Sequence, residues 1–192
     1  MASQRGFICG RQILQNVLDV EAAPFAASYD ADRKPVILLF DFAAAFPSLS
    51  HAYLWSCLRV LRLPELAISA LQTLFADNKH FYRFGGQLHF AFTVTSGVRQ
   101  GCPASATLFV LAIDPLLRAL SSRLPLGATV CTFADDLAIV LPCISLAPLV
   151  SDIFEDFARF SGLQLGIDKC ACIPLWTSST TASHAALTAL LS

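Results

Sequence analysis

Charge is what this sequence has little of: aspartate, glutamate, lysine and arginine make up 14% of it, against 55% hydrophobic residues. That balance excludes a disordered chain, which needs the opposite composition. It also raises a membrane reading, for which Leu124 to Val150 is the best candidate span. Asp135 and Asp136 stand at its centre with Pro125, Pro142 and Pro148 around them. Each carboxylate there costs about 2.5 to 3.5 kcal/mol in a bilayer, so no membrane span and no membrane partner are expected. A cationic excess is missing as well: 13 lysines and arginines face 14 acids, for a net charge of −1. Without that excess the chain as a whole is poorly suited to hold a polyanion by itself. A local exception is the stretch with Arg59, Arg62, Lys79, Arg83 and Arg99, where Glu65 and Asp77 are the only acids. It is either a cationic surface or an ordinary solvated face.

Paired cysteine spacings are absent too. The seven cysteines, Cys9, Cys57, Cys102, Cys131, Cys143, Cys170 and Cys172, are odd in number and mostly sit in apolar runs. That usage fits a reducing, intracellular compartment, either nucleus or cytoplasm. Cys170-Ala171-Cys172 with His184 lacks the paired spacing of a zinc site, so small core residues are the expectation. Met1 to Arg11 has no unbroken apolar signal core, and neither an internal repeat nor a domain linker is visible. At 192 residues the chain is long enough for one domain with a real core.

Apolar periodicity supplies the elements. Gly10 to about Ser28 has helical spacing, with Ile13, Val17 and Val20 on one side and Leu14 and Leu18 beside them. After the polar turn Asp30 to Pro35, the β-favouring run Val36 to Phe40 predicts a buried strand that delivers Asp41 at its end. Ser48 or Ser50 can cap a helix through Tyr53, Leu54, Cys57, Leu58 and Leu61, and Pro64 stops it and opens another ending near Asp77. His80 to Phe84 and Gln87 to Val94 flank Gly85-Gly86, a hairpin signal. A helix from about Ser105 to Arg123 follows, then Val130 to Val140 folding back on itself. Next come a helix from Ser145 to Ser161 ended by Gly162, and a last strand from Cys170 to Leu175. This order predicts an α+β fold, an antiparallel sheet with helices packed on one face.

The second hairpin turns on Phe133-Ala134-Asp135-Asp136. Chance alone supplies about 0.6 adjacent aspartate pairs in a chain with 11 aspartates, so context must carry the argument. At the tip of a buried hairpin, two carboxylates need compensation by a cation or hydrogen bonds. A sheet that sets Asp41 beside them makes a three-carboxylate cluster, whose hard oxygens suit Mg²⁺. Two such ions can activate an attacking hydroxyl and stabilise a leaving oxygen in phosphoryl transfer.

At this point the chain resembles the palm of reverse transcriptases, in particular those of non-LTR (LINE-like) retrotransposons. Phe40-Asp41-Phe42-Ala43-Ala44-Ala45-Phe46 is similar to palm motif A, Ser96 to Ser105 to motif B, Phe133 to Asp136 to motif C, and Ser161-Gly162-Leu163 through Lys169 to motif D. Upstream, Gln4-Arg5-Gly6-Phe7-Ile8-Cys9-Gly10-Arg11 resembles the block joining fingers to palm. The resemblance implies a connecting segment over 1–35, a palm over 36–176, and a loose tail or short helix over 177–192. It departs from the family pattern at Pro47, Ala104, Ala106 and Gly166, none of them a metal ligand.

Carried over residue by residue, the resemblance makes Asp41 and Asp135 ligands of two Mg²⁺ ions, with Mn²⁺ a substitute and Asp136 a supporting carboxylate. Phe46 falls on the position that excludes a 2′-hydroxyl, or else it is core. Phe42, Gln100 and Gly101 fall beside the incoming nucleotide, and Lys169 on the position proposed to protonate departing pyrophosphate. The implied function is an RNA-directed DNA polymerase using an RNA template, a DNA primer and deoxynucleoside triphosphates, within a longer retroelement polyprotein. Fingers segments before Gln4 and a clear primer grip or thumb after Lys169 are not seen, so weak or no polymerisation by this chain alone is expected. The alternative is a non-enzymatic remnant of a retrotransposon reading frame. An RNA-templated RNA polymerase is disfavoured by the bulk of Phe46.

Overall fold

The computed structural model describes residues 3–27 and 34–176. The tail over 177–192, with His184 and the short helix expected from Ala185 to Leu191, lies outside the described residues, as does most of the turn before Val36. The elements run α1 (Ile13–Ala27), β1 (Val36–Phe40), α2 (Ala45–Ser48), α3 (His51–Val60), α4 (Glu65–Phe75), β2 (Asn78–Phe84), β3 (Gln87–Val94), α5 (Pro103–Arg123), β4 (Thr129–Phe133), β5 (Asp136–Leu141), α6 (Ala147–Ser161) and β6 (Ala171–Pro174). Single 3₁₀ turns precede α6 and β6. Four strands form an antiparallel sheet in the order β4-β5-β1-β6, and β2 and β3 form a separate ribbon.

Strand alternation decides what each face of the sheet does. Val36 and Leu38 of β1, with Leu137, Ile139 and Leu141 of β5, are buried against α3, α5 and α6. Leu54, Leu58, Phe109, Ile113, Leu116, Ile153 and Phe154 come down on them from those helices. The main helical layer therefore covers one face. Helix α1 lies against β4 and β5 with Ile13, Val17 and Val20 over Leu39, Cys131 and Ala138, residues of the other face. Its apolar residues stay well exposed: Ile13, Leu14, Val17 and Leu18 each keep close to half their surface in solvent. Helix α5 is long and apolar enough to cross a membrane, yet its apolar side chains largely form the core between the sheet and its neighbours.

Local signals act where expected. Ser50 caps α3, its Oγ accepting from the Tyr53 amide at 3.4 Å, and Pro64 precedes Glu65 at the start of α4. Gly85 and Gly86 both take positive φ, the backbone a two-residue hairpin requires. Gly162 ends α6 in the left-handed region. The expected cationic stretch is partly neutralised. Arg59 pairs with Glu65 at 2.9 Å, Lys79 with Asp77 at 3.1 Å, and Arg99 sits 5.9 Å over the Phe75 ring.

One loop determines how α5 meets the rest. The Gly97 amide donates to the Leu49 carbonyl at 2.7 Å and the Val98 amide to the Phe46 carbonyl at 2.8 Å. The Gly97 carbonyl meets His51 Nε2 at 2.7 Å. Gly97 has φ +84°, and a Cβ there would stand 2.5 Å from the backbone of Pro47. Gly101, at φ +82°, has open space around it. Gly97→Ala is therefore expected to destabilise the fold by about 3 kcal/mol or more, strain and overlap together, and Gly101→Ala by about 1 kcal/mol from strain alone. Thermal melting checks this, with roughly 2 to 4 °C per kcal/mol in a chain of this size.

Candidate active site

The site begins with register. Strand β1 pairs with β5 from Val36 opposite Leu141 to Phe40 opposite Leu137. One step further, the same register sets Asp41 opposite Asp136, and residues opposed in an antiparallel pair share a face. Strand β4 pairs with β5 up to Phe133 opposite Asp136, which leaves Ala134 and Asp135 as the two turn residues. The turn needs a left-handed residue, and Ala134 supplies it with φ 56°.

The segment after α6 then folds back along motif A. The Ala43 amide donates to the Gln164 carbonyl and the Gly166 amide to the Asp41 carbonyl, each at 2.8 Å. These bonds bring Lys169 to the carboxylates: its Nζ lies 3.0 Å from Asp41 Oδ2. Asp41, Asp136 and Lys169 stand together at one open cleft of about 580 Å³, whose apolar walls come from α1 and the sheet. Residues 128 positions apart in sequence thus meet in one place.

The carboxylates are not buried as the hairpin reading expected. Asp136 is exposed, and Asp135 and Asp41 are half-buried. The body of the hairpin is covered and Ala134 at its turn is buried beside Gln4 and Gly6, but the Asp136 side chain reaches solvent. Charge crowding remains. Partial desolvation, then the carboxylates of Asp135 and Asp41, hold the Asp136 carboxyl above its ordinary range. A cation relieves such crowding, and the Lys169 ammonium already answers part of it at Asp41. Among the described residues, no three His, Cys, Asp or Glu side chains are gathered as a ready ligand set. The donor chemistry of Asp41 and Asp136 on one cleft, with Asp135 acting on Asp136, nevertheless suits a hard divalent cation.

The other predicted residues take different places. The Phe42 ring is 2% exposed and packs 6.1 Å from Phe154 and 6.4 Å from Phe157, so any nucleotide contact at this position runs through its backbone and not its ring. Phe46 is half-buried, its ring stacked on that of Phe109 with centroids 4.8 Å apart and 10° between planes. Such a stack is worth about 0.5 to 1.5 kcal/mol and holds the ring in one orientation. Gln100 and Gly101 are exposed on the loop that leads into α5. Gln4, Gly6 and Gly97 carry geometry that sequence reasoning did not assign. Gln4 and Gly6 were visible only as parts of a motif, with no local signal pointing to the hairpin 130 residues away.

The chain matches the family model described as reverse transcriptase (RNA-dependent DNA polymerase) over residues 1–180. It is 32% identical over 174 residues to the retrovirus-related Pol polyprotein of the type-2 retrotransposable element R2DM of Drosophila melanogaster, covering 87% of this chain and 16% of that protein. A 149 kDa protein of transposon TX1 from Xenopus laevis is 30% identical over 140 residues, 69% of this chain and 11% of the other. The chain therefore spans less than a fifth of the length of either relative. Among solved structures, a telomerase from Candida tropicalis superposes with a TM-score of 0.72 at 13% identity, over 93% of this chain and 37% of that one, which is a likeness of fold. Taken with the order of its motifs on one antiparallel palm sheet, these matches establish that the chain belongs to the reverse transcriptase family, in its non-LTR retrotransposon branch.

Proposed function

We propose that this chain is the nucleotidyl-transfer palm of an RNA-directed DNA polymerase and that it works within a longer retroelement protein. The observation that carries the reading is the meeting of Asp41, Asp136 and Lys169 on one cleft, brought about by the β1–β5 register and by the return of the chain along motif A. Asp41, Asp135 and Asp136 would hold Mg²⁺, with Mn²⁺ as substitute. Bound there, two such ions would supply charge to activate a primer 3′-hydroxyl and to stabilise the leaving oxygen of a deoxynucleoside triphosphate.

The chain's own residues supply the rest. Lys169 holds its proton within reach of Asp41 and is placed to pass it toward departing pyrophosphate. Phe46, steadied by Phe109, would lie under the incoming sugar and leave no room for a 2′-hydroxyl. Gln100 offers an amide donor and acceptor to nucleotide or template, and Gly101 lets the backbone come close. RNA template and DNA primer are the polymers this chemistry requires. With Arg59 and Lys79 neutralised by neighbouring acids, their grip falls to other parts of the longer protein, and polymerisation by these 192 residues alone is weak or absent.

Primer extension on an RNA template with Mg²⁺ tests this, on the chain alone and joined to what its reading frame encodes on either side. Extension that vanishes in Asp41→Asn and Asp135→Asn is expected. Extension indifferent to both, or none in either form, leaves the non-enzymatic remnant as the better reading.

Phe46→Ala separates gate from core. A core role alone lowers stability, by about 2 kcal/mol for a half-buried ring. A gate additionally lets ribonucleotides compete with deoxynucleotides, read from incorporation ratios.

Asp136 provides a test without catalysis. A carboxyl held above its ordinary range binds its proton more tightly folded than unfolded. As a carboxylate it therefore costs stability above that pKa, and the cost fades as pH falls through it. Metal-free Asp136→Asn should melt higher than the parent at about pH 7, and the gap should close toward about pH 4.

A further inference from the structure

Gln4 is a fully buried polar side chain, 0% exposed, and both ends of its amide bond to the turn of the β4–β5 hairpin. Its Nε2 donates to the Ala134 carbonyl at 3.1 Å, and its Oε1 accepts from the Ala134 amide at 3.0 Å and the Gly6 amide at 2.7 Å. One side chain thus engages both backbone polar groups of the single left-handed residue in the turn. The backbone around it is paired too. The Thr132 amide donates to the Ser3 carbonyl and the Arg5 amide to the Thr132 carbonyl, each at 2.9 Å, so Gln4 runs parallel to the outer edge of β4. The Gln4 amide continues that pairing past the end of β4, where the turn has no strand neighbour of its own.

Two further features hold the strap in place. Gly6 passes so near the turn that a Cβ on it would stand 2.2 Å from the Ala134 amide nitrogen. Arg5 donates to Asn16 and Asp19, tying the strap to α1. A non-glycine residue at positive φ costs roughly 1 to 2 kcal/mol and persists only where its surroundings over-determine it. Here Gln4 is what over-determines it.

We propose that Gln4 is a positioning residue: by fixing the Ala134 peptide groups it sets the direction in which Asp135 and Asp136 leave the turn, and so preforms the cation site. The functional half of this rests on the metal-holding role proposed for those carboxylates; the mechanical half rests on the hydrogen bonds alone. The strap is then part of the site, although it lies at the other end of the sequence.

Gln4→Met keeps the volume and buried character of the side chain and removes its three bonds. Gln4→Glu keeps an acceptor for the Ala134 and Gly6 amides; protonated it can still donate to the Ala134 carbonyl, and ionised it sets a second oxygen against that carbonyl. Two measurements on the intact chain decide the matter: amide hydrogen exchange across residues 130–138, and Mn²⁺ binding followed by electron paramagnetic resonance. Gln4→Met should speed exchange at Ala134, Asp135 and Asp136 about tenfold or more while Ile139 and Val140 keep their protection, and should weaken Mn²⁺ about three- to tenfold. Compared with the parent at the same pH, Gln4→Glu should speed exchange at these three amides when ionised and restore their protection when protonated, and that contrast carries the exchange test if Gln4→Met does not fold. Unchanged exchange at the turn overturns the proposal. So does faster exchange with unchanged Mn²⁺ affinity, which would mark the bonds as structural only. Asp41→Asn and Asp135→Asn are the controls: if neither weakens Mn²⁺, the metal reading fails and the functional half with it. If both do and Gln4→Met does not, the positioning role alone fails.

Discussion

The pairing of β1 with β5 is the constraint on which the rest depends. Strand side chains alternate between faces, so this register decides two things together. It sends Val36, Leu38, Leu137, Ile139 and Leu141 into the helical layer, and it sets Asp41 and Asp136 opposite each other beyond the last pair. A slip by one residue would turn the core set outward and the carboxylates apart. The burial of five large aliphatic side chains therefore holds the acidic site in register, since any other pairing would forfeit their contact with α3, α5 and α6. Site geometry here is a by-product of core packing, which is why it can tolerate charges that repel one another.

That repulsion is met from three directions. Solvent reaches the tip of the hairpin, Lys169 pairs with Asp41, and the backbone of the turn is held from outside by Gln4. None of the three neutralises Asp136, whose carboxyl is held above its ordinary range by partial desolvation and by the carboxylates beside it. A site in this condition favours cations without being collapsed around one. The cleft beside it is walled by apolar residues of α1 and the sheet, and the same helix leaves Leu14 and Leu18 well exposed.

Much of the architecture could be read in advance. The run Val36 to Phe40 became β1, the Gly85-Gly86 pair a hairpin turn with both φ positive, and the apolar stretch folding back around Asp135 the β4–β5 hairpin. These signals are local: a continuous apolar run, a residue without Cβ, a polar turn between two apolar flanks. Nothing in the residues between them shows the approach of Lys169 to Asp41, because it follows from backbone bonds between Gln164, Gly166 and motif A. The expectation of a buried acidic tip failed for a related reason. Apolar flanks report that the strands are covered and say nothing of whether the side chains at the turn reach solvent. The ring of Phe42 lies in the core, since a residue next to Asp41 on an extended segment points to the opposite face.

By itself the sequence determined the kinds of element, their order, the family and the identity of the acidic residues, because each of these is written in short-range pattern or in motif. Only the tertiary structure decided which of those residues meet. Asp41 and Asp136 are joined by strand register, Lys169 by a returning segment, Phe46 by its stack on Phe109, and Ala134 by a glutamine 130 positions earlier. The reason is physical. Propensity and periodicity act over a few residues, whereas charge pairing, ring stacking and buried hydrogen bonds depend on distances that exist only once the core has packed.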